Sequence, residues 1–379
     1  MNKKILFTVN SSSFFISHRL PIAIKMKDLG YEVHICCNFD MPNDFVALRS
    51  FTLHHLPWSN SINLYRNIIL FFNFFLLILK IKPSIIHLIT IKPIIFGGIL
   101  TRIISHRSVL FSFAGLGSVF SSNKLKYKFI LFFLLPIYKF ALNKKGFFIF
   151  QTCHDRSVVR NFLAFPLVRS IIINGSGIDY KKFNRLNNFK NKKILFASRL
   201  LIEKGISDFI EAALIIKKNP RYKDVSFIVA GSINVNDSGY INLEYIRKMH
   251  DCGIIEYLGF VDNIEELMSK CSIFVFPSYY GEGVPKVLIE ANASGLPCIA
   301  SNIPGCRSVI KNRLNGYLIP VRNPLEISKK IIYLLSHNSE LIKMSKRSKC
   351  YSKKFDINLV VKKHVELYKD MLSKNFIEK

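Results

Sequence analysis

Two glutamates eight positions apart, Glu282 and Glu290, lie in the stretch Ser278-Tyr279-Tyr280-Gly281-Glu282-Gly283-Val284-Pro285-Lys286-Val287-Leu288-Ile289-Glu290. The run before it, Cys271-Ser272-Ile273-Phe274-Val275-Phe276-Pro277, has the length and β-branched content of a buried strand. Pro285 stands where a first helical residue would be, a position at which its missing N–H costs nothing. The pattern is strand, glycine loop, helix N-terminus. Free backbone amides and a partial positive charge make such a terminus a ready anion site. Two acids beside an anion site make sense if they hold hydroxyl groups of a ligand whose phosphates go to the amides of Gly283 and Val284. A sugar attached to a nucleoside diphosphate is such a ligand. Upstream, Ala197-Ser198-Arg199-Leu200-Leu201-Ile202-Glu203-Lys204-Gly205 puts a guanidinium and an ammonium just beyond another strand. Breaking the bond between sugar and pyrophosphate calls for fixed positive charge on the leaving oxygens, and Arg199 and Lys204 can supply it. The bland alternative is a solvated helix carrying both acids and an ordinary basic loop.

Taken together, these two stretches resemble the family 4 glycosyltransferases: Glu, seven residues, Glu, with Gly-Val-Pro after the first, and Arg-x4-Lys-Gly upstream. The resemblance covers nearly the whole chain. It implies a GT-B fold, an α/β architecture of two Rossmann-like doubly wound domains facing across a cleft, with a C-terminal helix crossing back to the first domain. It implies that Arg199 and Lys204 hold the diphosphate, that Glu282 accepts hydrogen bonds from the donor sugar and that Glu290 binds the ribose. Gly231 and the run Gly259-Phe260-Val261 are expected to seat the base. It also implies transfer with retention of anomeric configuration. Many members carry a His near the reacting centre; here the matching place reads Phe111-Ser112-Phe113-Ala114-Gly115-Leu116-Gly117, without one. The Gly-Leu-Gly is similar to a branch acting on polyprenyl-diphosphate-linked saccharides. In the first domain, His18 and Arg19 are candidates to meet an acceptor phosphate, with His87 and His154 behind them.

No Asp-x-Asp pair occurs, so no metal site on the diphosphate is expected, and no cofactor beyond a UDP-sugar donor substrate. The eight cysteines form no C-x-x-C pair and read as reduced thiols. The formal charge of +29 is uneven: +19 falls in residues 1–190 and +10 in 191–379, and no Asp or Glu occurs between Asp44 and Asp155. Such a face attracts polyanions, whether nucleic acid, anionic lipid or a phosphorylated substrate. Helix-turn-helix, finger and RNA-binding aromatic signatures are missing from the sequence, which disfavours a nucleic-acid partner. Two aromatic stretches, Ile68–Leu79 and Phe129–Ala141, are about half the roughly 20 residues a membrane-spanning helix needs. Flanked by Lys and Arg, they suit either a core helix or one lying in a membrane interface. The N-terminus has a short apolar run and no cleavage pattern, and reads as a first strand.

These groups must be positioned by strands and helices. Residues 3–9, Glu32–Cys37, Ser84–Thr90, Ser108–Phe113, Gly146–Thr152 and Arg169–Ile173 read as strands, with a helix over Phe14–Leu29 stopping at Gly30. After a lysine-rich linker the pattern restarts with strands at Lys192–Ala197, Val225–Ala230, Ile255–Phe260, Ile273–Pro277 and Cys298–Ser301, and a clear helix at Ser207–Ile216. The expected domains are 1–175 facing acceptor and membrane, 191–355 binding the nucleotide-sugar, and a helical segment 356–379 returning to the first. The function this suggests is transfer of a hexose or N-acetylhexosamine from a UDP-sugar to a lipid-diphosphate-linked saccharide, on the cytoplasmic face of an anionic membrane, in surface polysaccharide (O-antigen-type) synthesis. A nucleotide-sugar epimerase of the same architecture, or a basic nucleic-acid-binding protein, are the alternatives.

Overall fold

Continuous runs of β-branched and aromatic residues become strands covered on both faces. The computed structural model describes residues 3–58, 63–106, 108–116, 134–142, 146–164, 167–183, 191–233 and 239–373. The chain divides into two units, Met1–Ser176 with Ile357–Lys379, and Gly177–Asp356. Gly117, residues 129–133 and the lysine-rich stretch 184–190 lie outside the described residues.

The first unit is a seven-stranded parallel sheet: β1 (Lys4–Ser11), β2 (Glu32–Asn38), β3 (Thr52–His55), β4 (Ile85–Ile89), β5 (Val109–Phe113), β6 (Phe147–Phe150) and β7 (Ser170–Ile172). Their order is β3-β2-β1-β4-β5-β6-β7, so the winding reverses between β1 and β4. Leu6, Ile86 and Leu88 enter the core on one face, and Ile5, Phe7, Ile85 and Ile89 the core on the other. That is why these strands read as unbroken apolar runs. Strand β3 has no such run, since it is a four-residue edge strand with two exposed positions, and the sequence did not announce it.

The helix expected over Phe14–Leu29 is two helices, Ser12–His18 and Leu20–Asp28, parted at Arg19. Pro21 is the cause, because it has no N–H to offer the carbonyl four residues back and its ring crowds that carbonyl, while it is well tolerated in the first turn of the new helix. The break turns Arg19 inward, to 2 % exposure. Its Nη2 donates to Ser112 Oγ at 3.3 Å and its Nη1 to the His18 carbonyl at 3.1 Å. The expected acceptor contact by Arg19 is therefore corrected, because its guanidinium is a buried tie between β5 and the helix break. Ile357–Leu372 belongs to this unit, burying Val360, Leu367 and Tyr368, whose hydroxyl lies 2.7 Å from His87 Nδ1.

The first aromatic stretch lies in an 18-residue helix, Leu64–Ile81, longer than its apolar core suggested. At about 27 Å it is long and apolar enough to cross a membrane, by length and composition only. Leu70, Phe74, Ile78 and Ile81 pack one side into the core. The other side leaves Leu64, Ile68, Phe72 (59 %), Leu76 (61 %) and Leu79 in the open. Of the second stretch, residues 134–141 are helical.

The second unit has six parallel strands: β8 (Lys193–Ala197), β9 (Ser226–Ala230), β10 (Glu256–Gly259), β11 (Ile273–Phe276), β12 (Cys298–Ser301) and β13 (Gly316–Ile319). The order β10-β9-β8-β11-β12-β13 reverses between β8 and β11. The arrangement matches the first unit's in plan: in each, the first strand lies beside the fourth.

Candidate active site

In an open parallel sheet the ligand crevice opens at the carboxyl ends of the strands where the winding reverses. In the second unit those ends belong to β8 and β11. Arg199 follows β8 by two residues and Glu282 follows β11 by six. The topology thus brings together two stretches about 80 residues apart in the chain.

Hydrogen bonds stitch the two loops. Tyr279 N donates to the Glu203 carbonyl at 3.0 Å, and Ser278 Oγ donates to the same oxygen at 3.3 Å. The Lys204 ammonium meets the Glu282 carboxylate directly. Ser278 Oγ lies 3.5 Å from Glu282 Oε1, and the Tyr280 ring lies 5.1 Å from Lys204 Nζ. Lys204 is 7 % exposed. Burial first, and the positive charge of Arg199 second, push its ammonium down to about 7, against upward pulls from Cys306 and Glu203. Arg199 itself is exposed at the loop crest. Arg199, Lys204 and Glu282 therefore form one electrostatic cluster.

The glycines make close approach possible. Gly231, just after β9, has φ +147° and sits so near β8's exit that a Cβ would lie 1.8 Å from the Ser198 carbonyl. Its N–H donates to the Gly259 carbonyl at 2.7 Å, and Tyr257 Oη donates to its carbonyl at 3.2 Å. Gly231 thereby joins the ends of β8, β9 and β10. Val261, just beyond, is half-buried against the core behind the loop.

Pro285 is the cap of the Lys286–Ala293 helix rather than its first residue, with extended backbone at φ −65°, ψ 120°. The lack of a proline N–H is harmless there too. Gly283 and Val284 precede it, both buried. Glu290 lies one turn in, with Lys286 Nζ 3.6 Å away. Burial raises its carboxyl pKa, Lys286 opposes this, and the charge of Glu265 adds to it. No direct bond joins Glu290 to Glu282 among the described residues; they occupy the helix and the loop before it.

Sequence reasoning missed several supports. Gly305 packs against the Gly283 carbonyl, where a Cβ would lie 1.8 Å from its oxygen. Gly205 does the same to Pro277, at 2.3 Å. Ser278 and Tyr280 hold the acid and the lysine. Gly205, Ser278 and Tyr280 lie inside the two quoted stretches and could have been found there; Gly305 could not, because its partner is 22 residues away.

In the first unit, His18 is partly buried, its ring stacked on Phe14 at 4.2 Å, and His87 is wholly buried. His154 is exposed in the first turn of the Cys153–Leu163 helix. Among the described residues, no three His, Cys, Asp or Glu side chains gather as a metal site would require.

Two doubly wound units, with a basic pair and an acid where the second sheet reverses, follow the plan of the GT-B fold. Residues 178–354 match the family of glycosyl transferases group 1, and residues 4–152 match the glycosyl transferase 4-like family. The chain belongs to these family 4 glycosyltransferases, enzymes of GT-B fold that transfer sugars. It is 29 % identical over 275 residues, 69 % of this chain and 70 % of the other, to N,N'-diacetylbacillosaminyl-diphospho-undecaprenol alpha-1,3-N-acetylgalactosaminyltransferase of Campylobacter jejuni. It is 27 % identical over 362 residues, 90 % of each chain, to UDP-Gal:alpha-D-GlcNAc-diphosphoundecaprenol alpha-1,3-galactosyltransferase of Escherichia coli. Among solved structures it is similar to Anabaena Alr3699/HepE in complex with UDP and glucose, with TM-score 0.78 and 16 % identity, covering 97 % of this chain and all of the other.

Proposed function

We propose that this enzyme moves a hexose or N-acetylhexosamine from a UDP-sugar onto a saccharide linked to a lipid diphosphate, with retention, in the building of a surface polysaccharide of the O-antigen type. The single observation that carries the donor half is the cluster of Arg199, Lys204 and Glu282 at the reversal of the second sheet. Arg199 and Lys204 neutralise the diphosphate, and the amides of Gly283 and Val284 add donors, so the charge is met without a metal ion. Glu282 accepts from sugar hydroxyls and Glu290 from the ribose, while Gly231 and Val261 border the base. The bond from the sugar's anomeric carbon to the phosphate oxygen breaks as the acceptor oxygen bonds to that carbon on the same face. The acceptor's proton passes to the departing phosphate.

The acceptor half is supported by the two relatives, both named for diphospho-undecaprenol substrates. It is supported too by the first unit's surface. The bare side of the Leu64–Ile81 helix is flanked by Arg66, Lys80 and Lys82, in a stretch free of acids from Asp44 to Asp155. An apolar stripe bordered by cations suits the interface of an anionic bilayer, where the enzyme sits peripherally on the inner face. Because one side of the helix belongs to the core, it lies along the surface instead of crossing.

The test is sugar transfer from a panel of UDP- and GDP-sugars to a polyprenyl-diphosphate-linked saccharide, with chelator present. Transfer from a UDP-sugar is expected, lost in Glu282→Ala and Arg199→Ala with the fold intact. Turnover of nucleotide-sugar to its epimer without acceptor, or no transfer from any donor, would sink the proposal.

A further inference from the structure

The first sheet also reverses its winding, between β1 and β4, and two local irregularities meet there. The pairing of β1 with β2 slips between Thr8 and Ser11, a bulge that contains Asn10. Thr90, directly after β4, has φ +69° and ψ 160°. That region is almost closed to residues other than glycine, and most of all to β-branched ones. The two are joined, since Thr90 Oγ1 donates to Asn10 Oδ1 at 2.9 Å. Both residues are partly exposed.

Thr90 precedes the Ile91–Ile103 helix, in the position where a threonine hydroxyl usually caps the first amides. Here it makes no such bond. It forgoes the local stabilisation and holds a strained backbone, and its hydroxyl points across to the neighbouring strand's bulge. Bulges re-aim side chains next to active sites, and backbone strain collects at ligand-binding positions. The strained Thr90 backbone costs the fold stability. The single hydroxyl proton of Thr90 faces two acceptors, Asn10 Oδ1 and the Ile89 carbonyl, while Oγ1 keeps lone pairs as an acceptor and the Asn10 carboxamide offers N–H donors. A fixed pair of neighbouring acceptor and donors is what the hydroxyls of a sugar need.

We propose that Thr90 and Asn10 form the subsite that binds the hydroxyl groups of the acceptor saccharide. This rests on the reading of the first unit as the acceptor's. The test compares Thr90→Gly, Thr90→Ser and Asn10→Ala with the unaltered full-length enzyme. Glycine relieves the strain, so Thr90→Gly is expected to raise Tm by about 1–3 °C. It is expected to lower kcat/KM for the acceptor by about tenfold or more, leaving KM for the UDP-sugar unchanged. Thr90→Ser keeps the hydroxyl and most of the activity, and Asn10→Ala loses acceptor kcat/KM as Thr90→Gly does. A lower Tm in Thr90→Gly, or undiminished acceptor kcat/KM in that more stable variant, would overturn the subsite. Equal losses of donor and acceptor parameters would overturn it as well. If the unaltered enzyme transfers to no saccharide at all, the acceptor reading fails instead, and the subsite with it.

Discussion

The two units share a plan and differ in how they handle charge. In the second, cations have acids beside them: Lys204 with Glu282, Lys286 with Glu290, Lys192 with Asp224, Lys270 with Glu266, Lys329 with Glu326. In the first, Lys4 pairs with Glu32, which also hydrogen-bonds to His34, an imidazole whose pKa burial lowers. The same unit carries the long helix with a bare apolar side. A balanced site suits a small, discrete anion: paired charges are held in place, and a phosphate group can exchange into the pair. An unbalanced, apolar-bordered face suits an extended surface, where many weak attractions add. The proposed function thus gives one fold, repeated twice, two electrostatic jobs.

The comparison breaks if charge in the second unit can be removed without loss. Lys204→Met should lower kcat/KM by about a hundredfold or more, since a fixed cation at the leaving phosphate acts mainly in the transition state. Binding to anionic vesicles should be untouched. Smaller and opposite in kind is Phe72→Glu with Leu76→Glu. Both side chains are mostly exposed, so the fold stands, and the double variant should bind vesicles containing anionic lipid about tenfold more weakly. Its UDP affinity should match the unaltered protein's. Co-sedimentation and titration with UDP check the two halves; loss of UDP binding in the helix variant would erase the division of labour.

How far the sequence carried this reading depends on where each signal lies. Strands such as Cys298–Ser301 and Ile273–Phe276 were visible because both faces are covered and the apolar run is unbroken. Thr52–His55 at a sheet edge and Gly316–Ile319, which begins on a glycine, carried no such run. Lys204 and Glu282 could be named because each sits in a dense local motif. Their contact could not be derived, because it arises from the order of strands, which brings β8 beside β11. Arg19 illustrates the converse. A basic residue beside a His near a serine loop looks available, yet Pro21 breaks the helix and folds the guanidinium inside. Thr90 gave no signal at all, since a threonine's backbone angle leaves no mark on the sequence.

The finest distinction between the units is in protons. Lys204 is held down to about 7 by burial and by Arg199, against upward pulls from Cys306 and Glu203. A diphosphate brought beside it adds negative charge and raises its pKa toward the ordinary lysine value of about 10.4. Well below pH 7 the ammonium is already charged, so Lys204 takes up no proton when UDP binds there. Above pH 7 the free protein has lost part of that charge, and binding must take a proton back from solvent. UDP affinity should therefore fall as pH rises from 7 to 9, with uptake of up to about one proton. Calorimetry in two buffers of different ionisation enthalpy measures that uptake directly. In Lys204→Met the uptake should vanish, whereas in the Phe72→Glu, Leu76→Glu variant it should persist unchanged. Proton release on binding, or uptake that survives loss of Lys204, would mean that the anion meets some other group than the buried lysine.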